Sequence, residues 1–288
     1  MDKSTAAAAL TITAEKPAVT ATANPKMSNQ PNPGMATGAS AGASSGVRIL
    51  QLSEWKEAAA SLAEAFADDH TCTYFLNTAD TAHWTAQKKW ALHVKMMEYI
   101  VYAHLLKGLV VSAGPNYDCV GLWMPPGENM DDYLTIFRSG MWRLNYQLSW
   151  EGQKRFFNEF LPLLHDTKAQ VLAERDNNIV RLKSANHTHP PSPKGWYLVY
   201  IGTRPSGRGK GHARKVIEYV TGIADAAGRA CYLESSNEVN RIIYGKLGFE
   251  RRKIVYLQRA EEHVELDIMV REPVLRKGGV GARGGVKA

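Results

Sequence analysis

Cysteine is scarce in this 288-residue chain, which has three: Cys72, Cys119 and Cys231. They stand far apart, with no pair at metal-ligand spacing. That argues against a disulfide framework or a zinc site and fits a reducing compartment, here expected to be the cytoplasm. No stretch approaches the ~18 apolar residues of a membrane-spanning helix, so no membrane partner is expected. Large apolar side chains are almost missing from residues 1–46, which are mostly Ala, Thr, Ser, Pro and Gly. Such a segment cannot bury enough surface to offset its ordering entropy and is expected to be disordered. The stretch STAAAAL is too short and too weakly apolar for a secretion signal. The lack of Arg before Arg48, with Asp2 and Glu15 present, argues against a transit peptide. Clustered Lys and Arg with interleaved aromatics, the mark of a nucleic-acid face, are confined to one short loop and the C-terminal tail. No nucleic-acid partner is therefore expected.

What remains is an ordinary globular composition, 44% hydrophobic and 22% charged. The formal charge of +7 weakly favours anionic partners. Because the densest basic cluster is a single loop, a small phosphorylated ligand is the expected one. The folded part is expected to span 47–272, followed by a flexible basic tail over 273–288.

Periodicity divides that part. VRILQL alternates as a strand does, and SEWKEAAASLAEAFADD has helical spacing with Ser53 placed to cap it. A second helix is expected over 82–105, with Trp90, Val94, Met97, Val101 and Leu105 forming one apolar stripe. KGLVVSAG and YDCVGLWMPPG then read as an antiparallel hairpin, closed off by Pro125 and Pro126. Residues 127–194 are mostly helical in pattern and rich in aromatics. WYLVYIGT is a buried strand that leads through RPSGRGKG into an amphipathic helix. ACYLESS is another strand, NEVNRIIYGKLG a short helix, and RRKIVYLQ and HVELDIMV a closing hairpin.

The loop is the most informative segment. Gly207, Gly209 and Gly211 permit tight turns and close backbone approach to a ligand. They precede a helix whose first turn carries free N–H groups and partial positive charge, which makes an anion site. Arg208 and Lys210 would add charged donors. A surface loop kept basic for solubility has the same composition. It is neither a Walker loop nor a dinucleotide fingerprint, because the required Lys-Ser/Thr and Gly-x-Gly-x-x-Gly patterns are absent.

RGKGHA, of the form Arg-x-x-Gly-x-Ala, is followed about thirty residues on by YGKLGF. Together they resemble the GCN5-related N-acetyltransferase (GNAT) superfamily. WYLVYIGTRPSGRGKG, YLESSNEVNRIIYGKLGF and VGLWMPPG resemble its puromycin N-acetyltransferase-like branch and fungal relatives. The resemblance implies an α+β sandwich: a mixed, mostly antiparallel twisted sheet with splayed central strands, flanked by helices. Residues 127–194 would be a helical insertion between the third and fourth strands. It also implies acetyl-CoA as co-substrate, no metal, and a small-molecule amine acceptor. A bulky or aromatic toxic amine, acetylated in detoxification, fits best. A protein or histone lysine acetyltransferase and a non-catalytic acetyl-CoA sensor remain as alternatives, and monomer and homodimer are both open.

The same resemblance implies roles. The backbone of Ile201, Gly202 and Thr203 would pair with pantetheine, and the amides of Arg208, Gly209, Lys210, Gly211, His212 and Ala213 would hold the diphosphate. The side chain of His212 occupies a variable position, where a helix-surface residue is an equal reading. Tyr244 matches a Tyr beside the CoA sulfur, able to protonate the leaving thiolate; an amphipathic Tyr packed under its helix is the alternative. Asn240 and Asn237 match cofactor-contacting Asn residues, and Asn237 also suits a helix N-cap. Glu234 matches a Glu of the branch and is the expected base. A carboxyl inside an apolar strand is costly unless paired or used, so a salt bridge to an Arg competes with that role. Asp68 and Asp69 could draw in a cationic amine, or be solvated helix-end acids. In the insertion, Tyr133, Phe137, Trp142, Tyr146, Trp150, Phe156, Phe157 and Phe160 recur at spacings that suit a helix core, or else line an acceptor pocket. His187 and His189 lack a third ligand for a metal.

Overall fold

The computed structural model describes residues 46–183 and 195–274. The N-terminal segment, His187, His189 and most of the basic tail lie outside the described residues. Among the described residues seven strands form one sheet in the order β1-β2-β3-β4-β5-β7-β6. They are β1 (Val47–Ile49), β2 (Leu109–Ala113), β3 (Cys119–Met124), β4 (Trp196–Thr203), β5 (Cys231–Ser235), β6 (Glu250–Leu257) and β7 (Val264–Arg271). All pairings are antiparallel except β4 with β5. The α+β class, the two hairpins and the insertion between the third and fourth strands are as expected.

The first helical stretch departs from its expected outline. A short 3-10 turn, Leu52–Glu54, opens it, held by reciprocal bonds between Gln51 and Glu54, so Ser53 is not the cap. Helix α1 (Trp55–Ala65) ends before the acidic pair. Asp69 then caps a separate helix, α2 (His70–Leu76), accepting from the Thr71 and Cys72 amides. Capping outweighs the unfavourable placement of an acid at a helix end, because here the acid stands at a beginning.

Helix α3 (Ala86–Lys107) starts at the Thr85 cap, four residues later than expected. Its buried face is wider than the expected stripe: His93, Met96, Tyr99, Ile100 and His104 are buried, whereas Trp90 is 42% exposed. The insertion contains α4 (Tyr133–Ser139), single turns at Met141–Arg143, Leu144–Gln147 and Trp150–Gln153, a wide π-type turn over Lys154–Phe160, and the long α5 (Leu161–Lys183). After β4 come α6 (His212–Ala226) and α7 (Glu238–Lys246).

The helices cover both faces. Leu62 of α1 and Met97 and Val101 of α3 pack on Val110 and Leu122. On the other face, Val216, Ile217 and Val220 of α6 pack on Val111, Trp123 and Leu198. The α1 contact depends on Gly202, where a Cβ would come 2.7 Å from Ala65 Cβ and 2.9 Å from Phe66 Cε2. Gly202→Val is expected to lower stability by about 1–3 kcal/mol through overpacking, read as a lower urea midpoint at an unchanged slope.

Candidate active site

The two central strands part company. β4 and β5 are paired at Trp196–Cys231, Tyr197–Tyr232 and Leu198–Leu233, and no further. On its other side β4 stays paired with β3 to its end, with Ile201 opposite Gly121, Gly202 opposite Val120 and Thr203 opposite Cys119. Beyond Leu198, therefore, β4 presents a backbone edge with no β5 partner, the kind of edge an extended ligand can join as a strand. Glu234 is the first residue of β5 past the fork.

A register jump opposite Leu122 and Trp123 leaves Val199 unopposed. This extra residue changes the alternation of side chains. Trp196, Leu198 and Ile201 join the cluster under α6, while Tyr197 and Tyr200 both join clusters on the opposite face.

At the far end of β4, Pro205–Gly207 makes a 3-10 turn, and Gly209 and Gly211 both adopt φ of +75°. Gly211 precedes α6 with no side-chain cap, and the first amide given a helical acceptor is that of Lys215, to the Gly211 carbonyl at 3.2 Å. The N–H groups that open the helix are thus free for an anion. A Cβ at Gly209 or Gly211 would meet nothing within 4 Å, so the cradle is open. It fits a diphosphate. Arg208 does not extend over it: its guanidinium turns back to the Thr203 and Ala65 carbonyls at 3.3 and 3.5 Å. Lys210 is exposed. Arg204 anchors the loop through a two-pronged pair with Glu64, one arm at 2.7 Å. The His212 ring is not on the helix surface. It is turned inward, with Nε2 3.7 Å from Asp118 Oδ2 and neither ring nitrogen hydrogen-bonded.

Around Glu234 the structure gathers groups that the sequence does not connect. Tyr197, Tyr232 and the Lys168 ammonium of α5 surround it, with the Tyr197 and Tyr232 rings 5.5 Å apart and edge-on. Burial pushes the Glu234 carboxyl up to about 7, against the opposing pull of Tyr197, Tyr232 and Lys168. Glu234 Oε1 and the Tyr232 hydroxyl have no hydrogen-bond partner among the described residues, and the two phenols and the Lys168 ammonium favour the ionised form. Glu234 makes no salt bridge to an Arg within 4 Å among the described residues.

Tyr244 is buried and packs edge-on to Phe249 at 6.0 Å, in one cluster with Ile201, Cys119 and Ala213. Burial raises its phenol well above the ordinary value, and Cys119 and Asp69 add to the rise. Asn237 caps α7, accepting from the Val239 and Asn240 amides. Asn240 is exposed, one turn before Tyr244. Asp69 is more than a helix-end acid. Its second oxygen accepts from Ser236 at 3.4 Å, tying α2 to the end of β5. Asp68 is exposed. No group of three metal-ligating side chains occurs among the described residues.

The sequence profile of the Acetyltransferase (GNAT) family matches residues 133–249, from α4 through the cradle and Glu234 to Phe249. An uncharacterized N-acetyltransferase of Schizosaccharomyces pombe is 46% identical over 224 residues, 78% of this chain and 82% of its own length. The chain belongs to the GNAT family. It is an acyltransferase enzyme, and its family uses acetyl-CoA as co-substrate. Solved GNAT structures that resemble it include one from Corynebacterium glutamicum, described as a histone acetyltransferase HPA2 and related acetyltransferase. That structure is 20% identical, with a TM-score of 0.46, covering 81% of this chain and 98% of the other. A mosquito arylalkylamine N-acetyltransferase-like protein is 14% identical, with a TM-score of 0.48, covering 78% and 98%.

Proposed function

We propose that this GNAT enzyme transfers acetyl from acetyl-CoA to the amine of a small molecule by direct attack in a ternary complex. The observation that carries the reading is the fork between β4 and β5, with an open amide cradle at the end of β4 and, at the point of divergence, the half-buried Glu234 with its Oε1 enclosed. The amides of Gly209 to Ala213 hold the diphosphate, that of Arg208 donating instead to the Pro205 carbonyl at 3.4 Å, and Ile201, Gly202 and Thr203 pair with pantetheine. One of their N–H groups faces the thioester oxygen, where such a donor is worth about 3 kcal/mol as charge develops. Glu234 takes the proton that an ammonium must lose before its nitrogen can attack. Tyr244 returns a proton to the departing thiolate, and Asn237 and Asn240 border the cofactor.

Direct attack is supported by the cysteines. Cys72, Cys119 and Cys231 are all buried, and burial pushes the Cys119 thiol up to about 11 and that of Cys231 to about 12. Such thiols are poor nucleophiles at neutral pH. The Glu234 face of the sheet also carries Tyr74, Phe75, Phe156 and Tyr232, with Phe157 and Phe160 beside them. These side chains pack on one another as core; the proposed acceptor, a bulky, partly apolar amine such as a toxic aromatic one cleared in the cytoplasm, follows from the family resemblance.

The test is release of CoA thiol from acetyl-CoA across polyamines, aromatic amines, aminoglycosides and aminonucleosides, with a peptide array alongside. Turnover of an aromatic amine, with product mass showing one added acetyl, is the expected result. Faster turnover of lysine peptides would favour a protein acceptor. Cofactor binding with no thiol release from any acceptor would favour a sensor.

A further inference from the structure

Lys168 belongs to the inserted helix, not to the strands that form the fork. It shares the packed face of α5 with Leu164, Val171 and Leu172, at the three- and four-residue spacings of neighbours on one side of a helix. Its ammonium sits over the Tyr197 ring, 4.6 Å from the centroid. Tyr197 lies edge-on to Tyr232, and Glu234 follows two residues later on the same face of β5. Among the described residues Lys168 forms no ion pair within 4 Å. We propose that Lys168, seated on the Tyr197 ring, is a positioning residue that favours the ionised form of Glu234 while leaving its Oε1 free to take a proton.

The stand-off is what makes the arrangement useful. A lysine in direct contact would hold Glu234 ionised but occupy the lone pairs that a base needs. A lysine absent altogether would leave a buried carboxyl that keeps its proton. A cation held by an aromatic face beyond ion-pair distance of the carboxylate acts on it through space. The unpaired Glu234 Oε1 and Tyr232 hydroxyl are consistent with such a site. The groups that act on Glu234 are Tyr197 from β4, Tyr232 from β5 and Lys168 from α5. Tyr200, also on β4, feels Glu234 in turn. On Lys168 itself, burial opposes the charge, and Glu234 and Asp131 favour it.

The inference rests on Glu234 being the base, and its test separates the two ideas. Carboxyl 13C NMR of the full chain, labelled at glutamate and assigned with Glu234→Gln, follows the Glu234 titration without any acceptor. In Lys168→Met the midpoint is expected to rise by about one pH unit, and in Lys168→Arg to stay near that of the parent. If the methionine disturbs the packing, Lys168→Gln serves the same purpose. An unmoved midpoint in the folded neutral variants would overturn the role of Lys168, whatever Glu234 does. A raised midpoint, with Glu234→Gln as active as the parent across pH, would sink the base assignment instead. A raised midpoint with the acid limb of acetyl transfer moving in step supports both.

Discussion

Glu234→Gln is expected to cut kcat about a hundred- to ten-thousand-fold, the usual contribution of a positioned base. It is also expected to raise stability above neutral pH. The two effects share one cause. Burial lifts the carboxyl from an ordinary value of 4.5 to about 7. Between those values the folded chain holds a proton that the unfolded chain has released, so stability falls as pH rises through that window and is fully reduced above about 7. Glutamine has no proton to lose. The variant should therefore melt higher than the parent at pH 8 and close to it at pH 4, with a gain on the order of 2 kcal/mol, less where water reaches the site. Activity of the parent should show the converse, rising with an acid limb near pH 7 as Glu234 ionises. Thermal melts at the two pH values and a kcat profile check both halves. A fully active variant, or one destabilised at pH 8, would mean that the carboxylate is paired rather than poised.

Much of this site can be read from the chain because its parts are local. The strand, glycine loop and helix from Trp196 to Ala226 are contiguous, and a sidedness of the loop toward anions follows from backbone chemistry alone. Asn237 caps its helix as its position suggests, because an Asx cap needs only the next two or three amides. What escapes the sequence is tertiary. Nothing in the spacing of α5 distinguishes Lys168 from the solvated lysines of a helix surface, since only packing turns that face toward β4. The unopposed Val199 breaks the two-residue alternation of WYLVYIGT, so that Tyr197 and Tyr200 fall on one side. The aromatics of the insertion divide in a way that spacing cannot foresee. Phe156 is buried and packs edge-on to Phe75 at 5.2 Å, with Phe157 and Phe160 beside it. Tyr133, Phe137, Tyr146 and Trp150 stand 61–77% exposed, and Trp142 is 38% exposed, stacked on Phe137. Those five therefore do not form a helix core. Asp69 misleads for a related reason: a helix that breaks and restarts turns an end into a beginning.

Gly211→Val is expected to raise KM for acetyl-CoA about ten- to a hundredfold and to change kcat much less. Gly211 holds φ of +75°, where a β-branched residue is strained by about 1–3 kcal/mol. A Cβ there would meet nothing within 4 Å in the free chain, so the protein suffers no direct clash. The strain falls on the turn itself, the element that aims its amides at the diphosphate, and any relaxation turns those donors aside. At about 1.4 kcal/mol per tenfold, the strain converts to the stated range. Gly127 supplies the control. It has φ of +86° and an equally open surrounding. It follows β3, whose end pairs with Tyr197 at the start of β4, away from the cradle. Gly127→Val should carry similar strain and leave the CoA affinity unchanged. Calorimetric titration with CoA, run on both variants, separates lost binding from general loosening. Equal affinities in Gly211→Val and the parent would mean that the diphosphate rests elsewhere, and the reading of the fork as a pantetheine slot would fall with it.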